Sequence, residues 1–561
     1  MVIGVGRVRT GFLLLIASPT VTMAQFDSVA SSAEAQQWLA RHGALDANMF
    51  VQHASTLLNE LRGAPRPMLA QFGILETIRF KLMTSFRAQF AETEFRAVPM
   101  SAAEAQHFLG AIAVVRQMRQ AYSALVPQAP NEKQAAPNPQ DKQTSPDLLA
   151  IMGDQTKPVS LRAIAVQRAL STQSQLITWC YRARVVVDDF EWDILMADAK
   201  LAREHGVAEA TVFDSTMPNF NANARACVTS AVLMLLANPS TLSQHEFKLM
   251  RALARQLGSR VRYRIDDGPE ANKTGPWPSL TRLGSTLRMD TRALVDELKR
   301  LIVELDAGYT PESLGFDKRV SRTTVLDALK RLVPLWRTPY VAPAPRRAPV
   351  FSHAKAVTSW HAITAGLQRT QYDSTASVAR TQSIYEYRRT NLIQVAAVDP
   401  IALKMATLFK GAEIWEVEGE NAQGFSCKRT AVLPRVNLGQ LVILSFGPDE
   451  PVPPGQMVQR RSLYLGHVDS VTQDPKLGYG DETEQSVGVH LLLGSPMLAG
   501  AKIGGATFED VYLMRSLLPG QTSAGLGFMP HEAQASSLVM PLARWTEGEI
   551  TEMIADGSTH R

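Results

Sequence analysis

At 561 residues the chain is too long for one hydrophobic core and is expected to form about three or four domains. Its apolar fraction of 45% and charged fraction of 20% are those of ordinary globular proteins. The 58 basic and 53 acidic side chains are interspersed and leave a net charge of only +5, which argues against a nucleic-acid polymer as partner, since that requires a concentrated basic face.

Residues 1–24 read in two ways. Arg7, Arg9, the apolar run from Gly11 to Ala17 and the ending Val-Thr-Met-Ala24 have the make-up of a short secretory signal, which gives an exported protein. Pro19 and Thr20 interrupt that apolar region, and Met23 serves as an internal start. The internal start, and with it a cytoplasmic protein, is the expectation. Downstream there is no run of roughly 18 apolar residues that would predict a membrane span. Cys180, Cys227 and Cys427 are far apart and odd in number, without metal-ligand spacing, so a reducing compartment and burial as small apolar side chains fit them best.

From residue 25 to 126 the pattern predicts an all-helical domain. Ser31-Ser-Ala-Glu34 and Ser101-Ala-Ala-Glu104 have capping-box spacing, and Asp46 caps a helix carrying Phe50, Ala54, Leu57, Leu58 and Leu61. A long amphipathic segment follows from Met68 to about Phe95. Residues 127–147, rich in Pro, Gln, Asn and Lys, predict a flexible linker. A second helical domain is expected over 148–336: a helical block from about Ser160 to Leu257, a loop from Asp266 to Pro278, and helices over Arg292–Leu305 and Thr323–Trp336. Within it Ser243 and Glu246 repeat the capping pair. The body looks solenoid-like, although no fixed repeat period is present.

The segment 337–349, with four prolines and Arg337, Arg346 and Arg347, reads as a basic linker. Residues 350–400 are expected to begin with a short helix from His353 to Leu367 and then lead into a β-module. Trp415 and Val417 alternate with Glu416 and Glu418, and Gly419-Glu-Asn-Ala-Gln-Gly424 turns the chain into Phe425 and Cys427, a hairpin signature. Strand-like runs at Leu438–Phe446, Ser462–Val471 and Val487–Leu493 extend this to a small antiparallel barrel over 401–500. Over 501–561, Phe508–Leu518 and Ser537–Leu542 are strand-like, and the tail after Trp545 is expected to fray.

No catalytic constellation is present, so the protein is not expected to be an enzyme. There is no GxxxxGK[ST] phosphate loop and no GxSxG elbow; Gly525-Leu-Gly527 lacks the third glycine of a dinucleotide loop, and His245-Glu246 lacks a second histidine. Neither cofactor nor metal is expected. Asp188, Asp189, Glu191 and Asp193 have the charge to hold a hard cation, but their alternation with Phe190 and Trp192 favours a solvated helix face. Trp179, Trp192 and Trp336 read as core residues. Arg260-Val-Arg-Tyr-Arg264 would place two arginines on one face if helical, where they could grip phosphate; structural salt bridging is the alternative.

The order of Leu69-Ala-Gln-Phe-Gly-Ile-Leu-Glu-Thr-Ile-Arg79, Val98-Pro-Met-Ser-Ala-Ala-Glu104, Leu233-Met-Leu-Leu-Ala-Asn-Pro-Ser-Thr-Leu242 and the barrel resembles large cytoplasmic proteins of type IV pilus-bearing proteobacteria. Those have a helical body and a C-terminal PilZ-like barrel and are implicated as cyclic-di-GMP receptors. PilZ domains bind this ligand with an Arg-x-x-x-Arg segment before the barrel and an [Asp/Asn]-x-Ser-x-x-Gly turn within it. Arginines neutralise the phosphates, short polar side chains bond guanine, and glycine permits close approach. Here Gly424 matches the glycine, Asn421 stands for the serine and Gly419 for the acidic or amide residue. In place of the spaced arginines stand Arg346-Arg347 and Arg388-Arg389; the latter, adjacent on a strand, would face opposite sides.

What the resemblance implies is a ligand site drawn from Arg346, Arg347, Arg388, Arg389, Asn421 and Gly424. Its ligand would be cyclic-di-GMP, and binding would reposition the barrel against the body toward a protein partner in the pilus or motility machinery. The alternative is a helical scaffold whose degenerate barrel binds protein only.

Overall fold

The computed structural model describes residues 29–337 apart from 64–65, 138–143, 218–222, 269–277, 283, 317 and 319. Beyond these it describes 348–349, 352–358, 412–421, 424–430, 435–446, 462–475 and 483–492 and, as backbone alone, strands between 495 and 560. The N-terminal part is a helical body: α1 (Ser32–His42), α2 (Ala47–Gly63), α3 (Met68–Ala91), α4 (Ala102–Leu125), α5 (Pro146–Met152), α6 (Leu161–Arg182), α7 (Asp189–Glu204), α8 (Ala224–Leu236) and α9 (Gln244–Gly258). A three-stranded antiparallel sheet follows, β1 (Arg262–Asp267), β2 (Ser279–Arg282) and β3 (Ser285–Asp290) in the order β1-β3-β2, then α10 (Arg292–Asp306) and α11 (Arg322–Trp336).

The helix starts obey the local chemistry of the sequence. Ser101 Oγ accepts from the Glu104 N–H at 3.3 Å while Glu104 Oε2 accepts from the Ser101 N–H at 2.7 Å, and Ser243 and Glu246 do the same at 3.3 and 2.8 Å. Each reciprocal cap satisfies two otherwise orphaned donors. α6 is buried along almost its whole length and has α4, α7 and α8 packed around it. Trp179, Trp192 and Trp336 are core residues as expected, and Trp336 Nε1 donates to the Leu233 carbonyl at 2.9 Å.

One hydrophobic core runs from Val29 to Trp336. The described part of the polar stretch 127–147 is bonded to it: Gln134 and Val159 exchange backbone hydrogen bonds at 3.1 and 3.0 Å, and Arg162 Nε donates to the carbonyls of Val126 and Ala129. Low apolar content thus does not prevent attachment: hydrogen bonds, together with the buried Ala129, hold this stretch to the body.

The C-terminal part contains a closed six-stranded antiparallel barrel in the order β4-β5-β6-β9-β8-β7. Its strands are β4 (His353–Val357), β5 (Glu413–Asn421), β6 (Gly424–Arg429), β7 (Leu441–Phe446), β8 (Ser462–Asp474) and β9 (Glu484–Leu491). Trp415, Val417, Phe425, Cys427, Val442, Leu444, Val468, Val487 and Val489 fill its interior. A separate antiparallel sheet, β12-β11-β10-β13-β14, is built from β10 (Ser495–Ile503), β11 (Phe508–Arg515), β12 (Ser537–Val539), β13 (Ile550–Ala555) and β14 (Ser558–His560).

Three local expectations are corrected. Residues 353–357 form a strand, not the start of a helix: Ala354 and Ala356 are buried and alternate with His353 and Lys355, a period-two pattern too short to stand out in sequence. The tail after Trp545 forms β13 and β14, because pairing to β10 offsets its polarity. The loop expected from Asp266 to Pro278 begins inside a strand: Asp266 and Asp267 belong to β1, in a sheet that buries Ile265, Leu280, Leu287 and Met289 on one face.

Body and barrel are joined through backbone. Val98 and Val436 exchange hydrogen bonds at 2.9 and 2.7 Å, and Val98 is buried in the barrel core. On β8, Gln473 donates its backbone N–H to the Arg184 carbonyl at 2.7 Å and accepts at its carbonyl from the Val186 N–H at 3.0 Å, so Val185 lies beside it as a short parallel strand. The side chain completes the joint: Oε1 accepts from the Met100 N–H at 2.8 Å and Nε2 donates to the Ala183 carbonyl at 2.9 Å. Arg184 reaches this geometry at φ 59°, and its guanidinium bonds the carbonyls of Pro239, Ser240 and Leu242.

Replacing Gln473 with alanine strands the Met100 N–H and the Ala183 carbonyl, and is expected to cost roughly 1–3 kcal/mol for each in denaturant unfolding of the full chain. The joint also carries a pH signature at Glu104. Burial raises its carboxyl, but hydrogen bonds from Ser101 and Arg435 outweigh this and bring it from 4.5 down to about 2. A depressed carboxyl stabilises the fold above pH 4.5, and that contribution is lost as pH falls towards about 2. Melting temperatures of wild type and Glu104→Gln should therefore converge across this window; parallel curves would show that Arg435 and Ser101 do not set the carboxyl.

Candidate functional site

The β5–β6 hairpin places two of the expected ligand residues side by side. Asn421 and Gly424 are paired at its end, and Asn421 Oδ1 accepts from the Gly424 N–H at 2.9 Å. Gly424 lies opposite His490 of β9, where a Cβ would come within 1.8 Å of the Val489 carbonyl oxygen. Glycine is thus required here by the close approach of two backbones. Gly419, the third position of the turn motif, follows a bulge between Val417 and Gly419, pairs with Ser426 and is buried. Arg346, Arg347, Arg388 and Arg389 lie outside the described residues.

Arg260 and Arg264 do not share a helix face. Arg260 precedes β1 and pairs with Glu297 at 3.2 Å, whereas Arg264 is on β1 and pairs with Asp266 at 3.3 Å. Salt bridging is therefore what the structure shows for them. The acidic cluster is divided in the same way: Glu191 is buried against Arg116 and Gln173, and Asp189 pairs with Arg282 at 2.6 Å. All three cysteines are buried, and burial pushes the Cys227 thiol up to about 12. No helix among the described residues is long and apolar enough to cross a membrane.

Two polar features escaped the sequence. Inside the barrel, Arg429 is buried on β6, donates from Nη2 to Glu413 Oε1 at 2.9 Å and sits over the Trp415 ring at 5.8 Å. Glu413 Oε2 accepts from Trp415 Nε1 at 2.8 Å, and burial pushes the Glu413 carboxyl up. The register sets Arg429, Gln485 and Gln473 next to one another on three strands, leading from this interior pair to the body. The available sequence signal was an arginine at an inward position of an alternating strand.

The second feature is a cleft of about 350 Å³ where body meets barrel. Thr241 and Arg331 line it from the body, and Gly439, His467 and Asp469 from the barrel. Arg331 is held by Glu246 at 3.2 Å and by Thr241. Burial, reinforced by His490, lowers the His467 imidazole, which favours its neutral form. Such a volume is near the lower end of small-molecule pockets, roughly 300–1,000 Å³. Its residues come from distant parts of the sequence.

The fold is thus a helical body bonded to a closed antiparallel barrel. Residues 33–267 match the family model for cyclic-di-GMP receptor FimW, N-terminal domain. The match covers less than half of the chain and none of the barrel; over the body it supports the resemblance to a cyclic-di-GMP receptor family. No curated protein and no solved structure matches the chain.

The hairpin geometry gives a direct test of the role of Gly424. Gly424→Ala forces its new methyl against strand backbone and is expected to destabilise the protein by about 1–3 kcal/mol or more. Unchanged stability, measured by denaturant unfolding, would mean that the close approach is not needed for the fold.

Proposed function

We propose that the protein is a non-enzymatic cyclic-di-GMP receptor and adaptor. The similarity of residues 33–267 to a cyclic-di-GMP receptor domain carries this reading. The ligand would lie between Arg346 and Arg347, with Arg388 and Arg389 as further cations, and the barrel hairpin at Asn421 and Gly424. Guanidinium forks suit the two phosphates, and a PilZ-like barrel would supply the base contacts. The output would be a surface offered to a protein partner of the pilus or motility machinery, in the cytoplasm.

The joint between body and barrel constrains how such a signal could travel. Rotating the barrel would break the four Gln473 bonds and expose Val98. Each buried polar group left unpaired costs about 1–3 kcal/mol, so the ligand would need a differential affinity of that order for the rotated state.

A second reading is favoured by one observation. Asn421 Oδ1 is already occupied by the Gly424 N–H, and Gly424 serves the packing of two strands. This supports a scaffold whose barrel binds protein without nucleotide. Isothermal titration of the full-length protein with cyclic-di-GMP separates the two. The receptor reading expects saturable heat that falls on substituting Arg346 and Arg347 together with alanine; absence of heat at high protein concentration leaves the scaffold reading.

A further inference from the structure

The cleft of about 350 Å³ at the seam holds opposite charges that do not meet. Arg331 of α11 lines it from the body and Asp469 of β8 from the barrel, and the two form no ion pair. Each is held by its own side. Arg331 donates to Glu246 Oε1 at 3.2 Å and to the Thr241 hydroxyl, which itself donates to the Asn238 carbonyl at 2.9 Å. Asp469 Oδ1 accepts from the Ser470 hydroxyl at 3.1 Å. The remaining N–H groups of Arg331, Asp469 Oδ2 and both ring nitrogens of His467 have no hydrogen-bond partner among the described residues.

The strand is built to present this carboxylate. Val468 pairs with Val489 and Ser470 with Gly488, so Asp469 is the extra residue of a bulge and has no cross-strand partner. Gly488 keeps the space clear, since a Cβ there would collide with Asp469 Oδ1 and Ser470 Oγ. The wall beside it is fixed by backbone: the Gly439 N–H donates to the Val468 carbonyl and the Val468 N–H to the Gln440 carbonyl, both at 2.8 Å. The cleft thus offers donors on the body side, a carboxylate on the barrel side, and the apolar surface of Leu438 beside them.

Strand register connects the cleft with the hairpin. Asn421 pairs with Gly424, Gly424 with His490 and His490 with His467, a row across β5, β6, β9 and β8. The row lies on the outer face, because the neighbouring Phe425, Val468 and Val489 fill the interior. At roughly 4.8 Å per strand, Gly424 and His467 are about 10 Å apart. The two histidine rings lie 5.3 Å from each other, and burial together with His490 favours the neutral form of His467. Arg331 is therefore the cation of the cleft, and the imidazole is a surface on which a base can stack.

Guanine is the base that matches this lining. Its O6 and N7 accept from a guanidinium fork, whereas its N1–H and N2–H groups donate to a carboxylate; adenine carries an amino group in place of O6 and lacks those donors. We propose that the seam cleft binds one guanine base of the cyclic dinucleotide, with Arg331 on the O6 and N7 edge and Asp469 on the N1 and N2 donors. A cleft of this volume takes one base rather than the whole ligand, whose other half extends along the row towards Asn421 and Gly424. That the base belongs to a cyclic dinucleotide rests on the receptor reading above; its being guanine rests on the cleft. A base bound there touches body and barrel at once, which makes its affinity depend on how the two are placed.

The test titrates the full-length protein with cyclic-di-GMP, cyclic-di-AMP and GMP, beside Asp469→Asn, Arg331→Lys and Leu438→Trp. The last fills the cleft without changing charge, and Arg331→Lys keeps the charge but loses the fork. Wild type should bind cyclic-di-GMP at least tenfold more tightly than cyclic-di-AMP. Asp469→Asn and Arg331→Lys should each weaken cyclic-di-GMP about tenfold or more, the loss of a charge-assisted contact, and shrink the preference for guanine over adenine. Leu438→Trp should weaken cyclic-di-GMP to a similar degree. Equal losses for both dinucleotides in Asp469→Asn would overturn the proposal, because a merely structural carboxylate does not read the base.

If wild type binds cyclic-di-GMP and none of the three variants weakens it, the cleft is overturned and the receptor reading survives. If wild type binds no cyclic-di-GMP, the receptor reading falls and GMP decides the cleft. Binding of GMP that Asp469→Asn and Leu438→Trp abolish keeps a guanine site there; binding that they leave unchanged, or no binding, removes it. Should Leu438→Trp fail to fold, Asp469→Asn supplies the same comparison, since that side chain bonds only Ser470 among the described residues.

Discussion

The buried charge network around Asp214 is the constraint on which the body depends. Burial alone would raise this carboxyl, yet Arg79 and Arg168 hold it well below the ordinary carboxylate range. Thr216 adds donors from its backbone and hydroxyl, Gln167 donates to the other oxygen, and Arg168 passes the network to Glu76, which also accepts from the Tyr122 hydroxyl at 2.7 Å. These residues come from α3, α4, α6 and the loop before α8, so the packing of three helices is tied to one set of hydrogen bonds. Removing a single partner from such a network leaves a buried charge, at a cost of about 3–5 kcal/mol. Because α6 is fixed in this way, the segment that follows it, Ala183 to Val186, arrives where β8 can pair with it.

The segments that carried the family resemblance have a common structural meaning. Glu76 and Arg79 of the first belong to the charge network. Val98, Met100 and Glu104 of the second contact the barrel. The third supplies the Leu233 carbonyl bonded by Trp336 and the Pro239, Ser240 and Leu242 carbonyls bonded by Arg184. Distinctive sequence in this protein marks joints rather than a pocket, so the family resemblance it carries does not locate a ligand.

Local chemistry was the readable part of the fold. Serine caps, the β5–β6 hairpin and the buried tryptophans follow from neighbours within a few residues, and each was legible. β4 was not, because five residues with alternating alanines say little until β5 and β7 pair with them. The small sheet at 262–290 was obscured for a similar reason: charged residues alternate with Tyr263 and Ile265, and their helix-like arginine spacing was misleading. Of the expected site, Asn421 and Gly424 are described and adjacent, whereas the arginines fall outside the described residues. The Arg429–Glu413 pair and the seam cleft both needed tertiary structure, since their members are brought together from separate elements.

The parallel pairing of Val185 with Gln473 has a consequence for solubility. β8 runs past the end of β7, and beyond Val468 one of its edges lacks that neighbour. Unpaired strand edges are templates for intermolecular β-pairing, and proteins commonly shield them with charge, proline or an overlying element. Here the overlying element is the body itself. A barrel separated from residues 98 and 184–186 would present both a bare edge and an unplugged apolar end, so the helical body acts as an intramolecular guard against aggregation.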